Sequence, residues 1–161
     1  MASQVYCKVD GIPGESSDDK HKDYFEVLSY SHGVSQEASG SESGAGGHTG
    51  GRADHDRFAV TKHLDKASPK LNYACSKGDH IPEVLIECWR HIGDNQKYME
   101  YKLTDAVVRS IHPSGNGDGR PTETVTFSYA RIDWAYTEFD NKGKKKGDVK
   151  THWDLEKGKG G

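Results

Sequence analysis

Two long stretches of alternating apolar and polar residues change phase partway along. In 97–111 the change falls between Leu103 and Ala106, and in 122–139 it falls between Tyr129 and Ile132. Alternation with a period of two predicts a β-strand. A slip of one residue turns the apolar set to the opposite face of a strand, so each strand must bulge or bend at the change. Two such bends predict a curved sheet that closes on itself as a barrel.

Shorter segments complete a mainly β pattern. Alternation or enrichment in β-forming residues predicts strands at 5–9, 24–31, 58–64 and 84–89. One helix is expected at 69–77, with Ser68 as its N-cap, Pro69 in its first turn and Gly78 at its end. The predicted fold is therefore two antiparallel sheets closed into a β-barrel, with one short flanking α-helix.

The segment 35–56 lacks this patterning. Its 22 residues include six glycines and four serines, and almost no large apolar side chain. We expect a long extended loop, which is either a flexible tether or a functional element.

The length and charge of the chain indicate a single domain and argue against nucleic-acid-binding and membrane proteins. The chain has 161 residues, which suits a single domain spanning 1–161. The formal net charge is −3, but the segment 141–161 holds seven lysines against three carboxylates, and Lys144–Lys146 are expected in a solvated turn. An acidic body with a basic C-terminal segment argues against nucleic-acid binding. Apolar runs of three or four residues argue against membrane insertion.

No motif for chemistry emerges from the remaining residues. The three cysteines, Cys7, Cys75 and Cys88, form no C-x-x-C pair, so small buried side chains in a reducing compartment are expected. Asp54-His55-Asp56 could ligate a metal but lies in the glycine-rich segment without a rigid support. The sequence indicates no enzyme, no metal site and no cofactor.

Four blocks carry a resemblance to a known family. They are KVDGIPGES at 8–16, FEVLSYSHGVSQ at 25–36, FAVTKHLDKASPKL at 58–71, which runs on to Ala74-Cys75, and HWDLEK at 152–157. Together they resemble the haemolysin-coregulated protein (Hcp) family, the tube subunit of bacterial type VI secretion. The resemblance covers nearly the whole chain in order, and the block at 58–71 is its most specific part.

The resemblance implies a homohexameric ring with a wide bore. Rings stack into a tube inside a contractile sheath with a spike protein at the tip, and the lumen carries small effector proteins. The resemblance also implies a protein that is cytoplasmic when assembled and is then secreted by its own machine. The missing basic and apolar regions at Met1–Gln4 fit export without a cleaved signal peptide.

Two sets of residues follow as candidate sites. Within 24–31, Leu28 and Tyr30 are expected to be buried, which turns Ser29 and Ser31 outward as candidate lumen and effector contacts. The segment 35–56 is the candidate ring-stacking element. Its charged residues are Glu37, Glu42, Arg52, Asp54 and Asp56, together with the adjacent Arg57.

Other readings stay open from the sequence. One is a tail-tube protein of a phage-like particle, and another is a small monomeric β-barrel that acts as a binding module or hydrolase. The mass in solution separates a monomer from a ring.

Overall fold

The computed structural model of the chain describes residues 3–39 and 49–161. Within these residues, eleven strands and one α-helix follow one another along the chain. They are β1 (Ser3–Val9), β2 (Phe25–Val27), β3 (Ser29–Ser31), β4 (Val34–Ser39), β5 (Thr49–His55), β6 (Phe58–His63), α1 (Ser68–Lys77), β7 (His80–Ile92), β8 (Asp94–Ser114), β9 (Thr122–Phe139), β10 (Lys145–Asp154) and β11 (Lys159–Gly160).

The strands form two antiparallel sheets, as predicted. Nine strands make the main sheet, in which β11-β10-β9-β8-β7-β1-β2 are successive neighbours. β6 pairs with the first half of β9, and β3 pairs with β6. β4 and β5 make a separate two-stranded sheet. Closure of the main sheet into a barrel stays a prediction.

The predicted phase changes in the two long strands are confirmed, and both fall at one place. On β8 the buried positions change from Leu103 to Ala106, and on β9 they change from Tyr129 to Ile132. Asp105 lies between them with a φ of 52°, a left-handed conformation that is uncommon outside glycine. The flanking pairs are Thr104–Arg131 and Ala106–Tyr129, so both strands bend at the same rung.

The helix has its predicted end but a different beginning. Gly78 adopts a φ of 72° and donates its backbone N–H to the Ala74 carbonyl at 2.9 Å, which ends the helix in a left-handed cap. The prediction of Ser68 as the N-cap is wrong, because Ala67 occupies that position and Ser68 is the first helical residue. The Ser68 hydroxyl instead donates to Glu123 at 2.7 Å, which ties the helix to β9.

Two further predictions need correction. The segment 35–56 is not a long loop throughout, since Val34–Ser39 and Thr49–His55 pair as a β-hairpin. The prediction of a solvated turn at Lys144–Lys146 is wrong in part, because Lys145 and Lys146 are exposed but belong to the strand Lys145–Asp154. Cys7 and Cys88 are buried as free thiols, as expected for small apolar side chains, whereas Cys75 is half-buried. No helix in the described part of the chain has both the length and the apolar character needed to cross a membrane.

Candidate assembly surfaces

The hairpin β4–β5 is held at its base by the backbone. Val34 pairs with His55 and Ser35 with Asp54, and the Asp56 N–H donates to the Gly33 carbonyl at 2.9 Å. The register shifts between Gln36 and Ala38, so the hairpin carries a β-bulge. Main-chain pairing explains how Val34–Ser39 and Thr49–His55 form strands although they carry almost no large apolar side chain, since backbone hydrogen bonds do not depend on side-chain type.

The hairpin base packs on aromatic side chains of the main sheet. The His32 ring stacks on Phe58 with centroids 5.3 Å apart, and the His55 ring stacks on Trp134 at 6.3 Å. The Tyr129 hydroxyl donates to the Asp56 carbonyl at 3.1 Å. Burial lowers the pKa of both imidazoles, and the proximity of His55 lowers the pKa of His32 further. The two imidazoles at the hairpin base therefore make uncharged aromatic contacts at neutral pH.

Arg52 attaches the hairpin to the C-terminal part of the chain. Its guanidinium donates to the Leu155 carbonyl at 3.1 Å. A groove between the two segments is lined by Gln36, Arg52, Ala53, His55, Trp153, Leu155 and Gly158. Leu155 in turn donates its N–H to the Ala130 carbonyl at 2.8 Å, at the bend of the main sheet. The hairpin, the C-terminal turn and the sheet bend are thus connected.

The predicted stacking residues do not share one location. Asp54 is exposed on β5, whereas Asp56 and Arg57 are exposed at the hairpin base, where the chain enters β6. Arg52 is exposed as well but bonds within the chain. The side chain of Glu37 and the whole of Glu42 lie outside the described residues. Their role in ring stacking stays a prediction.

The predicted lumen residues lie on a short strand. Ser29 and Ser31 are exposed on β3, where they pair with Thr61 and Ala59 of β6. The expectation that Leu28 and Tyr30 are buried is wrong, because these side chains are 53% and 36% exposed. Leu28 lies at the bend between β2 and β3, which interrupts the alternation on which the expectation depended.

Tyr30 nevertheless contacts the core. Its ring stacks on Phe58 at 5.8 Å, and its hydroxyl lies 3.4 Å from that of Tyr101. The free thiol of Cys88 lies 3.6 Å from the same hydroxyl. Tyr30 therefore marks the place where the buried core reaches the surface of the chain.

An apolar row on the main sheet was not found from the sequence. Met99 pairs with Tyr136 and Tyr136 with Val149, so the three side chains lie side by side across β8, β9 and β10. Tyr136 is 44% and Val149 66% exposed. In the sequence, the alternation of Val149, Thr151 and Trp153 with polar residues indicates a strand at this position. The surrounding lysines made this alternation hard to recognise. Exposed apolar rows of this kind commonly mark contact surfaces.

In residues 3–39 and 49–161, no three potential metal ligands converge on one point. Burial raises the pKa of the Tyr6 and Tyr129 hydroxyls and of the Cys7 thiol, which keeps these groups protonated at neutral pH. The exposed apolar row formed by Met99, Tyr136 and Val149 suits protein–protein contact.

Comparison with known proteins gives a consistent result. A family model described as "Type VI secretion system effector, Hcp" matches residues 6–136. The chain is 33% identical over 158 residues to "Protein hcp1" of Pseudomonas aeruginosa, with 96% of each chain covered. It is 29% identical over 132 residues to "Major exported protein" of the same species, covering 76% of this chain and 74% of the relative.

A solved structure supports the same conclusion. The structure described as that of "a type six secretion system protein" superposes with a TM-score of 0.94 at 37% identity, covering 99% of this chain and 100% of the other. The similarity in both sequence and fold therefore extends over essentially the whole chain.

Proposed function

The chain belongs to the Hcp family of type VI secretion, and we propose that it is the structural subunit of the inner tube of that system. The observation that carries this proposal is the extent of the structural match. The superposition covers 99% of this chain and 100% of the solved type VI secretion protein. Membership of this family points to a structural, secreted protein rather than an enzyme. The relative named as an exported protein supports export of this chain as well.

The whole of 1–161 is proposed to act as one domain whose main sheet closes into a barrel. β2 pairs with β1, β3 pairs with β6, and Leu28 alone separates β2 from β3. This bend joins the two ends of the sheet through a single continuous segment, which is how closure would be achieved. The basic segment 141–161 belongs to the same domain, because β10 extends the sheet from β9.

The subunit is proposed to form a hexameric ring, and rings to stack into a tube within the sheath and behind the spike. Light scattering at micromolar concentration tests the ring directly. A mass of six chains is expected, whereas a mass of one chain contradicts the ring and favours the monomeric binding module.

Ser29 and Ser31 are proposed to face the lumen and contact small effector proteins. Both are exposed and uncharged, and hydroxyl groups offer hydrogen bonds without the desolvation cost of a charge. Ser31→Arg is expected to lower effector levels while the ring persists. Ser76→Arg, at an exposed position of α1, is the matched control and leaves effector levels unchanged. Equal effector levels in both variants would show that Ser31 does not contact effector proteins in the lumen.

The segment 35–56, which includes β5 and most of β4, is proposed to dock on the next ring together with the adjacent Arg57. The charged residues assigned to this contact are Glu37, Glu42, Arg52, Asp54, Asp56 and Arg57. Exposed ion pairs contribute only about 0–1 kcal/mol each, but six copies act together around a ring. Replacing 37–54 by a short Gly–Ser linker is expected to leave hexamers that no longer polymerise end to end. Asp54→Lys tests the charge alone, with Asp118→Lys in an exposed turn as its control. Normal polymerisation and secretion by the shortened chain would exclude the hairpin as the stacking element.

A further inference from the structure

The loop that joins β8 to β9 carries an asparagine followed directly by a glycine. It runs from 115 to 121, and residues 115–120 are exposed. The pair Asn116–Gly117 is the one Asn-Gly step in the sequence. The other asparagines precede residues that carry a side chain, in the pairs Asn72–Tyr73, Asn95–Gln96 and Asn141–Lys142.

The loop holds the Asn116 side chain against the peptide bond that follows it. The Asp118 N–H donates to Asn116 Oδ1 at 3.0 Å, which forms an Asx turn. This turn folds the side-chain amide back over the main chain at Gly117, and the hydrogen bond draws electron density away from Cγ. Both effects favour attack on Asn116 Cγ by the Gly117 nitrogen.

Gly117 leaves its own nitrogen accessible. It adopts a φ of 83°, in the left-handed region that glycine reaches without strain, and a Cβ built there would meet no atom within 4 Å. No side chain at position 117 shields the nitrogen, and the exposure of the loop admits water and hydroxide. The electrophilic carbon, the nucleophilic nitrogen and the solvent therefore meet at one place.

We propose that Asn116 is a site of spontaneous deamidation, through a cyclic imide formed with Gly117. Hydroxide removes the proton from the Gly117 nitrogen, and the electron pair left on that nitrogen bonds to Asn116 Cγ. The bond from Cγ to Nδ2 then breaks, and the amide nitrogen leaves as ammonia after it takes a proton from water. No oxidant or reductant is needed.

Water opens the imide at either of its two carbonyl carbons. Attack at Cγ breaks the new bond to nitrogen and leaves an aspartyl residue at position 116. Attack at the backbone carbonyl carbon breaks the original peptide bond and leaves an isoaspartyl residue, whose main chain continues through Cγ. A direct hydrolysis of the amide would give the aspartyl product alone, so the isoaspartyl product is the signature of the imide.

Both products carry a carboxylate where the chain now has a neutral amide. The formal charge of the chain changes from −3 to −3 − 1 = −4. Because residues 115–120 are all exposed, the reaction leaves the core unchanged. Deamidation is therefore expected to appear as charge heterogeneity among folded chains.

Asn141 is an internal control, because it is also exposed but is followed by Lys142. The purified chain is incubated in mildly alkaline buffer and then digested with trypsin, which does not cleave the Arg120–Pro121 bond. The peptides 110–131 and 132–142 each contain one asparagine, Asn116 and Asn141 respectively. Mass spectrometry is expected to show that Asn116 converts at least roughly tenfold faster than Asn141, because glycine does not shield its nitrogen. A sample digested without incubation corrects for conversion during the digestion.

Two alanine variants separate the attacking nitrogen from the conformation of the loop. Gly117 and Gly119 have a positive φ, 83° and 77°, and open space around them, so alanine strains the backbone similarly at both. Gly117→Ala is expected to slow the conversion of Asn116 roughly tenfold, whereas Gly119→Ala is expected to keep the original rate.

Three results would overturn the imide, namely an unchanged rate in Gly117→Ala, an equal slowing in both variants, or an aspartyl product without the isoaspartyl one. Conversion of Asn116 no faster than that of Asn141 would overturn the site itself.

Discussion

A buried lysine shows how one residue connects three elements. Lys62 of β6 is 1% exposed and donates to Glu123 of β9 at 2.6 Å and to Asp65 at 2.8 Å. Ser68 of α1 donates to the same Glu123 oxygen at 2.7 Å. Desolvating two charges is costly, but here Lys62 Nζ has three acceptors and Glu123 Oε1 accepts from both Lys62 and Ser68. The network therefore specifies where α1 begins relative to the sheet.

Removing one member of this pair leaves the other charged and buried. Lys62→Met is expected to lower the free energy of unfolding by about 3–5 kcal/mol, and Lys62→Met with Glu123→Leu is expected to cost less. Lys146→Met removes an exposed partner of Glu138 and is expected to cost less than about 1 kcal/mol. Urea unfolding at fixed protein concentration measures all three. A loss for Lys62→Met no greater than that for Lys146→Met would contradict the importance of the network.

The histidines at the hairpin base make stability depend on pH. Burial lowers the pKa of His32 and His55 below the ordinary value of 6.5, so the unfolded chain binds protons more readily than the folded one. Their contribution is therefore complete above pH 6.5 and is lost as the pH falls below that value. Asp56 is the carboxylate near His32, and it opposes the shift without reversing it.

Replacing both histidines by asparagine is expected to remove this part of the pH dependence. Between pH 7.5 and 5.5 the wild-type Tm should fall further than that of the double variant. The difference is expected to be about 2–4 °C for each kcal/mol by which protonation of the two imidazoles lowers the free energy of unfolding. Carboxylates common to both chains contribute equally and cancel in the comparison. Parallel Tm curves over this range would show that the two imidazoles have no influence.

At the scale of elements, glycine conformation determines where α1 ends. An added Cβ would meet no atom within 4 Å at Gly78 or at Gly147, but only Gly78 has a positive φ, of 72°. Both sites therefore have room for a Cβ, and they differ in backbone conformation. Left-handed backbone is unfavourable for residues that carry a Cβ.

Gly78→Ala is accordingly expected to lower the free energy of unfolding by about 1–2 kcal/mol. Gly147→Ala, in β10, is the matched control and is expected to change it by less than about 0.5 kcal/mol. Urea unfolding of the two variants gives the comparison. Equal effects would mean that the cap conformation does not contribute to stability.

At the scale of the whole molecule, assembly and folding are linked. If subunits dissociate as they unfold, mass action stabilises the folded state more at higher protein concentration. The Tm of the wild-type chain is expected to rise over a roughly hundredfold increase in concentration, whereas a monomeric variant keeps a constant Tm. Scanning calorimetry at several concentrations measures this. A constant wild-type Tm would indicate that the ring contributes nothing to thermal stability.

The sequence by itself determined the elements whose signal is local. Alternation located the cores of β1, β6, β7, β8 and β9, and Pro69 with Gly78 located the helix. The phase changes near Asp105 and between Tyr129 and Ile132 were also predictable, because each change is visible within one strand. The period of apolar residues along a strand depends only on residues that are close in sequence. Strands and their phase changes can therefore be predicted without a structure.

Only the tertiary structure decided which surfaces these elements expose. β4 and β5 are ordered by main-chain pairing and by seating on Trp134 and Phe58, neither of which leaves an apolar pattern in the hairpin itself. The exposure of Tyr30 and Val149 depends on what covers them from distant parts of the chain. Burial is a property of the neighbours that folding brings together. A local pattern can therefore predict a strand but cannot say which of its faces remains open to a partner.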